Sequence, residues 1–211
     1  MDISNNELKQ FLELPTGNIC DANGKSGNMD AAIKPIDPRL KMVGPAYTVR
    51  CHPGDNLAIH RGIYEAPAGA VLVVDARGYC QGGHFGEIMA LACQKKGIAG
   101  LVIDGTCRDG EEIKEMGFPV FCRGLNPGGT VKETIGVTNG VIQCGGLTIN
   151  PGDIIIGDSD GVVAVKKEMA SVVLKKAQAI AEKEKEVKML LCQGKTTVEI
   201  FGFDKVLNKD K

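Results

Sequence analysis

The sequence predicts an α/β fold in a single domain over residues 1–211, closed by a long C-terminal helix. Three observations carry that expectation. Two continuous apolar runs, AGAVLVVDA (68–76) and IAGLVID (98–104), read as strands buried on both faces. Between them, GEIMALACQKK (86–96) reads as a helix, stopped by Gly97. Beyond residue 130 the pattern changes to short strands, then to one charged helix over 167–192 with apolar positions such as Val172, Val173, Ile180, Val187 and Leu190.

The elements follow in chain order. Residues 5–14 read as a short amphipathic helix, and Thr16 is the expected cap of the next turn, TGNICDANGK, which Gly24 ends. Residues 28–45 read as mostly irregular, with Pro35, Pro38 and Pro45 as breakers. YTVRC is a strand closed by the turn His52-Pro53-Gly54-Asp55, and residues 56–65 are a helix that Pro67 terminates. After the strand at 68–76 a glycine-rich loop, RGYCQGGHFG, leads into the 86–96 helix. The strand at 98–104 runs into Gly105-Thr106-Cys107-Arg108-Asp109, the acidic helix EEIKEM and a third strand, FPVFCR (118–123). That alternation is a βαβ pattern, for which right-handed crossovers are expected. VIQCGGLTI, DIIIGD and GVVAV, divided by Asn150-Pro151-Gly152-Asp153 and Asp158-Ser159-Asp160-Gly161, read as antiparallel hairpins.

Composition narrows the function. Net charge is -1, so no field draws nucleic acid to the molecule as a whole, and aromatics at 4% with no Trp leave no stacking platform for bases. No apolar run is long enough to span a bilayer, and MDISNNELKQFLEL lacks the layout of a secretory signal, so a cytoplasmic protein is expected. Eight cysteines form no C-x-x-C pair, which removes the zinc-ribbon reading and leaves free thiols serving mostly as small core residues.

The chemistry concentrates between residues 82 and 112. A buried strand feeds Gly82-Gly83-His84-Phe85-Gly86-Glu87, where a helix starts. Helix starts present free N–H groups and the positive end of the dipole, which suit a carboxylate or phosphate, and glycines let backbone approach a ligand. One strand later Arg108-Asp109 arrives at an equivalent strand end, so both loops face one pocket if the strands are neighbours. Arg108 offers a bidentate grip on a carboxylate, and Asp109 is a hard oxygen ligand for Mg2+ or Mn2+. Taken alone, an Arg-Asp pair is more often a surface loop feature and Glu87 more often complements the helix dipole. His84 is an acid, a base or polar lining; His52 and His60 carry no partner signal. No lysine is positioned by a motif for a Schiff base.

A resemblance shifts that balance. VRCHPGDNLAIHRGIYEAPAGAVLVVDA, GEIMALACQKKGIAGLVIDGTCRD, FPVF and INPGDIIIGDSDGVVAV together resemble the family of 4-hydroxy-4-methyl-2-oxoglutarate aldolases and regulators of ribonuclease E activity of type A. The resemblance runs from near Thr16 into the long helix. It implies a compact β/β/α fold like that of swivelling phosphohistidine domains, and a homotrimer or hexamer with its site between subunits. It implies that the backbone of Gly86, Glu87, Ile88 and Met89 holds the pyruvyl end of a small 2-keto acid, that Arg108 contacts it and that Asp109 holds Mg2+. Aldolase members have an acid, twenty residues, then Arg-Asp; twenty residues separate Glu87 from Arg108 here. The family pattern has Asp at the acid position, so the extra methylene of Glu87 bears on the preferred substrate. A glutamate from the neighbouring subunit's terminal helix also reaches the site, and Glu184 is the match. The activity so implied is metal-dependent: retro-aldol cleavage, decarboxylation of oxaloacetate, or both, through a pyruvate enolate, with Glu87 steering proton transfer. The alternative is a non-catalytic regulator that binds a ribonuclease. A third label attached to the family, a demethylmenaquinone methyltransferase, finds no glycine-rich cofactor loop here.

Overall fold

The two apolar runs lie side by side at the centre of one sheet. In the computed structural model, which describes residues 3–207, helices α1 (Asn5–Leu12) and α2 (Thr16–Ala22) precede an edge strand β1 (Lys34–Pro35) and strand β2 (Met42–Arg50). Helix α3 (Leu57–Glu65), strand β3 (Val71–Gly83), helix α4 (Glu87–Lys96), strand β4 (Gly100–Cys107), helix α5 (Gly110–Met116) and strands β5 (Val120–Cys122) and β6 (Gly124–Leu125) follow. Then come β7 (Val137–Thr138), the hairpin β8 (Ile142–Cys144) and β9 (Leu147–Ile149), and the hairpin β10 (Ile154–Asp158) and β11 (Gly161–Val165). A 3-10 turn (Lys167–Met169) opens α6 (Ala170–Cys192), and α7 (Thr197–Phe201) and α8 (Asp204–Leu207) end the described chain.

The sheet order is β1-β5-β4-β3-β2-β10-β11. Strands β2, β3, β4 and β5 are parallel, and β10 and β11 are antiparallel. Residues 27–29 bridge to β11 through Met29 N–H to Val162 O (2.9 Å) and Ala164 N–H to Gly27 O (2.8 Å), which brings the two edges together into a nearly closed barrel. Alternation along β3 then makes sense. Val71 and Val73 point inward with Val102, Phe121, Ile155 and Val162, over the β8–β9 hairpin residues Ile142 and Ile149. Leu72 and Val74 point outward under Ile59, Ala90, Cys93 and Ile113 of α3, α4 and α5. Leu72, Leu101 and Ile103 are fully buried, each contributing about 1.5–3 kcal/mol of transfer free energy. A third cluster packs Phe11, Ile19, Val173, Leu174 and Ala177 of α1, α2 and α6 on Ile154, Ile156 and Val165. Cys51, Cys93, Cys107, Cys122 and Cys144 are buried free thiols. Among the described residues no helix is long and apolar enough to cross a membrane.

Four local expectations need correction. Pro45 lies inside β2 rather than breaking it: Ala46 N–H bonds Asp153 O across to the β10 side, so the nitrogen of Pro45 faces the β3 side, where pairing begins only at Ala46. Thr16 is the first residue of α2, not its cap, because its hydroxyl and amide both go to the buried Asp158 carboxylate (2.7 and 2.8 Å). The glycine-rich stretch after residue 76 is not a free loop but the bulged continuation of β3, paired with β4 at Tyr79 and Gly83. The long helix begins at Ala170, after the 3-10 turn.

Candidate active site at the ends of β3 and β4

Continued pairing beyond the bulges carries β3 and β4 to the same end of the sheet. His84 N–H donates to Thr106 O and Arg108 N–H to Phe85 O, both at 2.9 Å. The Gly86-Glu87 turn and the Arg108-Asp109 turn are therefore adjacent. The approach is close: a Cβ on Gly86 would push Asp109 Oδ2 from its place, and one on Gly83 would lie 2.7 Å from Asn126 O and 2.8 Å from Arg108 Cβ. Asp109 itself is left-handed (φ 56, ψ 46), a conformation that Asp tolerates better than most residues.

Asp109 Oδ2 accepts the amide of Glu87 at 3.1 Å, at the positive end of α4. Arg108 Nε stands 3.6 Å from that oxygen, and the two side chains are 47% and 37% exposed. At that distance and exposure the guanidinium is not locked in an ion pair. The amides of Gly86 and Ile88 take no acceptor among the described residues. These groups border a cavity of about 220 Å³. It is lined by Gly83, His84, Gly86, Ile88, Met89, Arg108 and Asp109 from the β3 and β4 ends and the start of α4, and by Asn56, His60, Gly129, Thr130 and Lys132 from the segments before and within α3 and after β6.

His84 is fully buried and lines the cavity. Its Nε2 accepts Gly54 N–H at 3.1 Å, which assigns the ring proton to Nδ1. Burial lowers its pKa below the ordinary value, against the raising effect of the Thr106 and Gly82 backbone and of Asp55, so the ring is neutral at pH 7. Burial likewise lowers His60, with Lys132 adding to it. Three buried side-chain atoms lack a partner among the described residues: Asn56 Oδ1, His60 Nε2 and His84 Nδ1. All three belong to residues of this one cavity.

The expected residues divide. The structure brings Gly86, Ile88, Met89, Arg108 and Asp109 to one cavity. Glu87 contributes its amide, while its side chain is exposed and does not border that cavity. Glu184 lies elsewhere within the chain: its Oε2 accepts Asn18 Nδ2 at 3.1 Å, and it borders a separate groove of about 390 Å³ between α6 and the α1–α2 region. Asn56, His60 and Lys132 carry no signal in the sequence, where His60 shows no partner. No motif marks them, because they reach the cavity only through the packing of α3 on α4 and of the 126–136 loop over the strand ends. Among the described residues no three His, Cys, Asp or Glu side chains cluster as a metal set, and Asp109 is the one carboxylate bordering the cavity.

A family model described as RraA-like, Aldolase/RraA, matches residues 16–164. A protein of Halalkalibacterium halodurans named "Putative 4-hydroxy-4-methyl-2-oxoglutarate aldolase" is 42% identical over 171 residues, 81% of each chain. An uncharacterized protein of Methanocaldococcus jannaschii is 34% identical over 201 residues, 94% of each chain. The crystal structure of Streptomyces coelicolor RraAS2, described as an unusual member of the RNase ES inhibitor RraA protein family, superposes with a TM-score of 0.81. The two are 25% identical, over 90% of this chain and 98% of that one.

Proposed function

The chain belongs to the RraA-like family, in which an aldolase-type function is supported, and we propose that this member is a divalent-metal-dependent carbon–carbon lyase acting on small 2-keto acids. The observation that supports it is the convergence of an unlocked guanidinium, a half-exposed carboxylate and a helix start on one small cavity. The donor set fits a hard cation. Asp109 keeps Oδ1 free of hydrogen bonds among the described residues, and a single carboxylate is what Mg2+ or Mn2+ takes when water and substrate complete its shell. When bound, the cation supplies Lewis acidity toward the keto oxygen and so favours an enolate product.

The chain's own residues do the rest. Arg108 grips the keto acid's carboxylate, and the free amides of Gly86 and Ile88 meet negative charge at the positive end of α4. Cleavage of C3–C4 leaves its electron pair on C3, delocalised onto the C2 oxygen. In retro-aldol cleavage of a 4-hydroxy-4-methyl-2-oxoglutarate-type substrate, the C4 hydroxyl loses its proton and C4 leaves as a ketone. In oxaloacetate that carbon leaves as CO2 and no hydroxyl proton is removed. Glu87, at the mouth of the helix start, is the residue assigned to steer the hydroxyl proton, and Glu184 of a neighbouring copy in a trimer or hexamer is assigned to complete the site. Lys132 borders the same cavity as Arg108 and suits the second carboxylate of such a substrate. A second reading, a regulator that binds a ribonuclease, draws on the likeness to the Streptomyces protein.

The test is pyruvate release coupled to NADH oxidation by lactate dehydrogenase, with either substrate, with Mg2+ or EDTA. Release is expected with Mg2+ and not with EDTA, and Arg108→Ala and Asp109→Ala each lose about two decades of turnover. Wild-type turnover in either variant, or none in the parent protein, contradicts the lyase reading.

A further inference from the structure

A buried carboxylate next to the cavity residue Asn56 gathers three backbone amides. Asp55 is 1% exposed. Its Oδ1 accepts Leu57 N–H at 2.9 Å, and its Oδ2 accepts Glu133 N–H at 2.8 Å and Thr134 N–H at 2.7 Å. Its neighbours extend the clamp: Val131 N–H donates to Gly54 O (2.9 Å) and Asn56 N–H to Val131 O (3.1 Å). The clamped segment lies between β6 and β7, has no helix of its own and follows Gly128-Gly129, so its placement depends on what it is tied to. Along an extended segment, residues two apart share a face, and Thr130 and Lys132 both border the cavity while Val131 is exposed.

Resting on the lyase reading above, we propose that Asp55 is a positioning residue, whose carboxylate holds the 129–134 loop so that Lys132 faces the keto acid gripped by Arg108. Both of its oxygens are engaged by amides, so it touches no substrate and acts through the loop. An ionised carboxylate is the group suited to this task, since three N–H donors converge on it and a buried charge must be fully hydrogen-bonded. Burial raises its pKa, but the amides of Leu57, Glu133 and Thr134, with the Thr134 hydroxyl, outweigh that and hold it below the ordinary value. The same turn orients His84, whose Nε2 takes Gly54 N–H.

The test is a double-mutant cycle in steady-state decarboxylation of oxaloacetate with Mg2+, comparing the wild type with Asp55→Asn, Lys132→Met and the double variant. Asp55→Asn turns an NH2 group toward amide donors. It is expected to raise KM about tenfold with kcat held within about threefold, and to add nothing in the Lys132→Met background. Wild-type kinetics in Asp55→Asn, or the full tenfold again in the double variant, overturns the proposal. Should Asp55→Asn fail to fold, two measurements replace it: KM of Lys132→Met, and hydrogen exchange of the wild-type Glu133 and Thr134 amides. A raised KM with slow exchange supports the clamp; an unchanged KM or fast exchange overturns it. A wild type that turns over while Asp55→Asn is unaffected removes only the clamp. A wild type that releases no pyruvate from any keto acid removes the lyase reading and the clamp together.

Discussion

The two walls of the cavity carry charge in opposite ways. On the wall built from the ends of β3 and β4, Asp109 accepts one amide and is 37% exposed, and Arg108 keeps its guanidinium clear of a tight pair. On the wall built from residues 54–56 and 129–134, Asp55 accepts three amides and is sealed from solvent. Arg123 repeats the second pattern, bonded at once to Asp104 and to Asp30. Residue type therefore does not separate function from structure here. Engagement does: a charged group taken up by several partners inside the fold holds backbone or partners in place, and one left open is available to a ligand.

The contrast can be broken experimentally. The largest effect is expected where an internal charge loses one of its partners. Asp104→Ala leaves the guanidinium of Arg123 with Asp30 alone and frees the buried Gly145 N–H, and thermal or urea unfolding should show a loss of about 3 kcal/mol. Arg108→Ala, by contrast, should shift unfolding by less than about 0.5 kcal/mol while lowering turnover by about two decades. Next is Gly86→Ala: its methyl would displace Asp109 Oδ2, so kcat/KM should fall by about two decades with the fold intact by circular dichroism. Activity near that of wild type would show that the close approach is dispensable. Glu87→Asp should change the ratio of kcat/KM for the hydroxylated substrate over oxaloacetate by about tenfold or less, because only the first loses a hydroxyl proton. An unaltered ratio would remove Glu87 from proton transfer.

The smallest effect concerns His84. Its folded pKa lies below the ordinary 6.5, so the unfolded chain binds the extra proton first as pH falls. Stability from this residue is intact above about pH 6.5 and declines as pH drops below it. Melting temperature between pH 7 and pH 5 should fall less steeply in His84→Gln than in the wild type. Parallel slopes would mean that folding leaves the proton affinity of this ring unchanged.

Much of this architecture was legible because apolar periodicity reports burial directly. Within the runs at 68–76 and 98–104, residues 70–76 and 100–104 are buried on both faces while 68–69 form an exposed turn, Gly97 is left-handed at the end of α4, and the turns after Asn150 and Asp158 precede and join the expected antiparallel strands. The barrel's near closure was not legible from periodicity, since it depends on residues 27–29 reaching β11 across the whole fold. Nor was the continuation of β3 through RGYCQGG, because glycine and polar residues in a bulged ladder look like a loop. One wall of the site lay in contiguous motifs and could be found there. The other is assembled from residues 54–60, 84 and 129–132, which come together only in three dimensions. The turn signal at His52-Pro53-Gly54-Asp55 was visible, yet it reported only that the chain bends, not that its acid would seize a loop some eighty residues away. Glu184 stays apart from Arg108 in one chain, so its assignment depends on an assembly of copies.

The most direct measurement is calorimetric binding of oxalate, a flat dianion shaped like the pyruvate enolate, to wild type and Asp109→Ala with and without Mg2+. The lyase reading predicts tight binding to the wild type that requires the cation, and loss of that cation dependence in Asp109→Ala. Oxalate that binds both proteins equally with or without Mg2+, or neither, would contradict it.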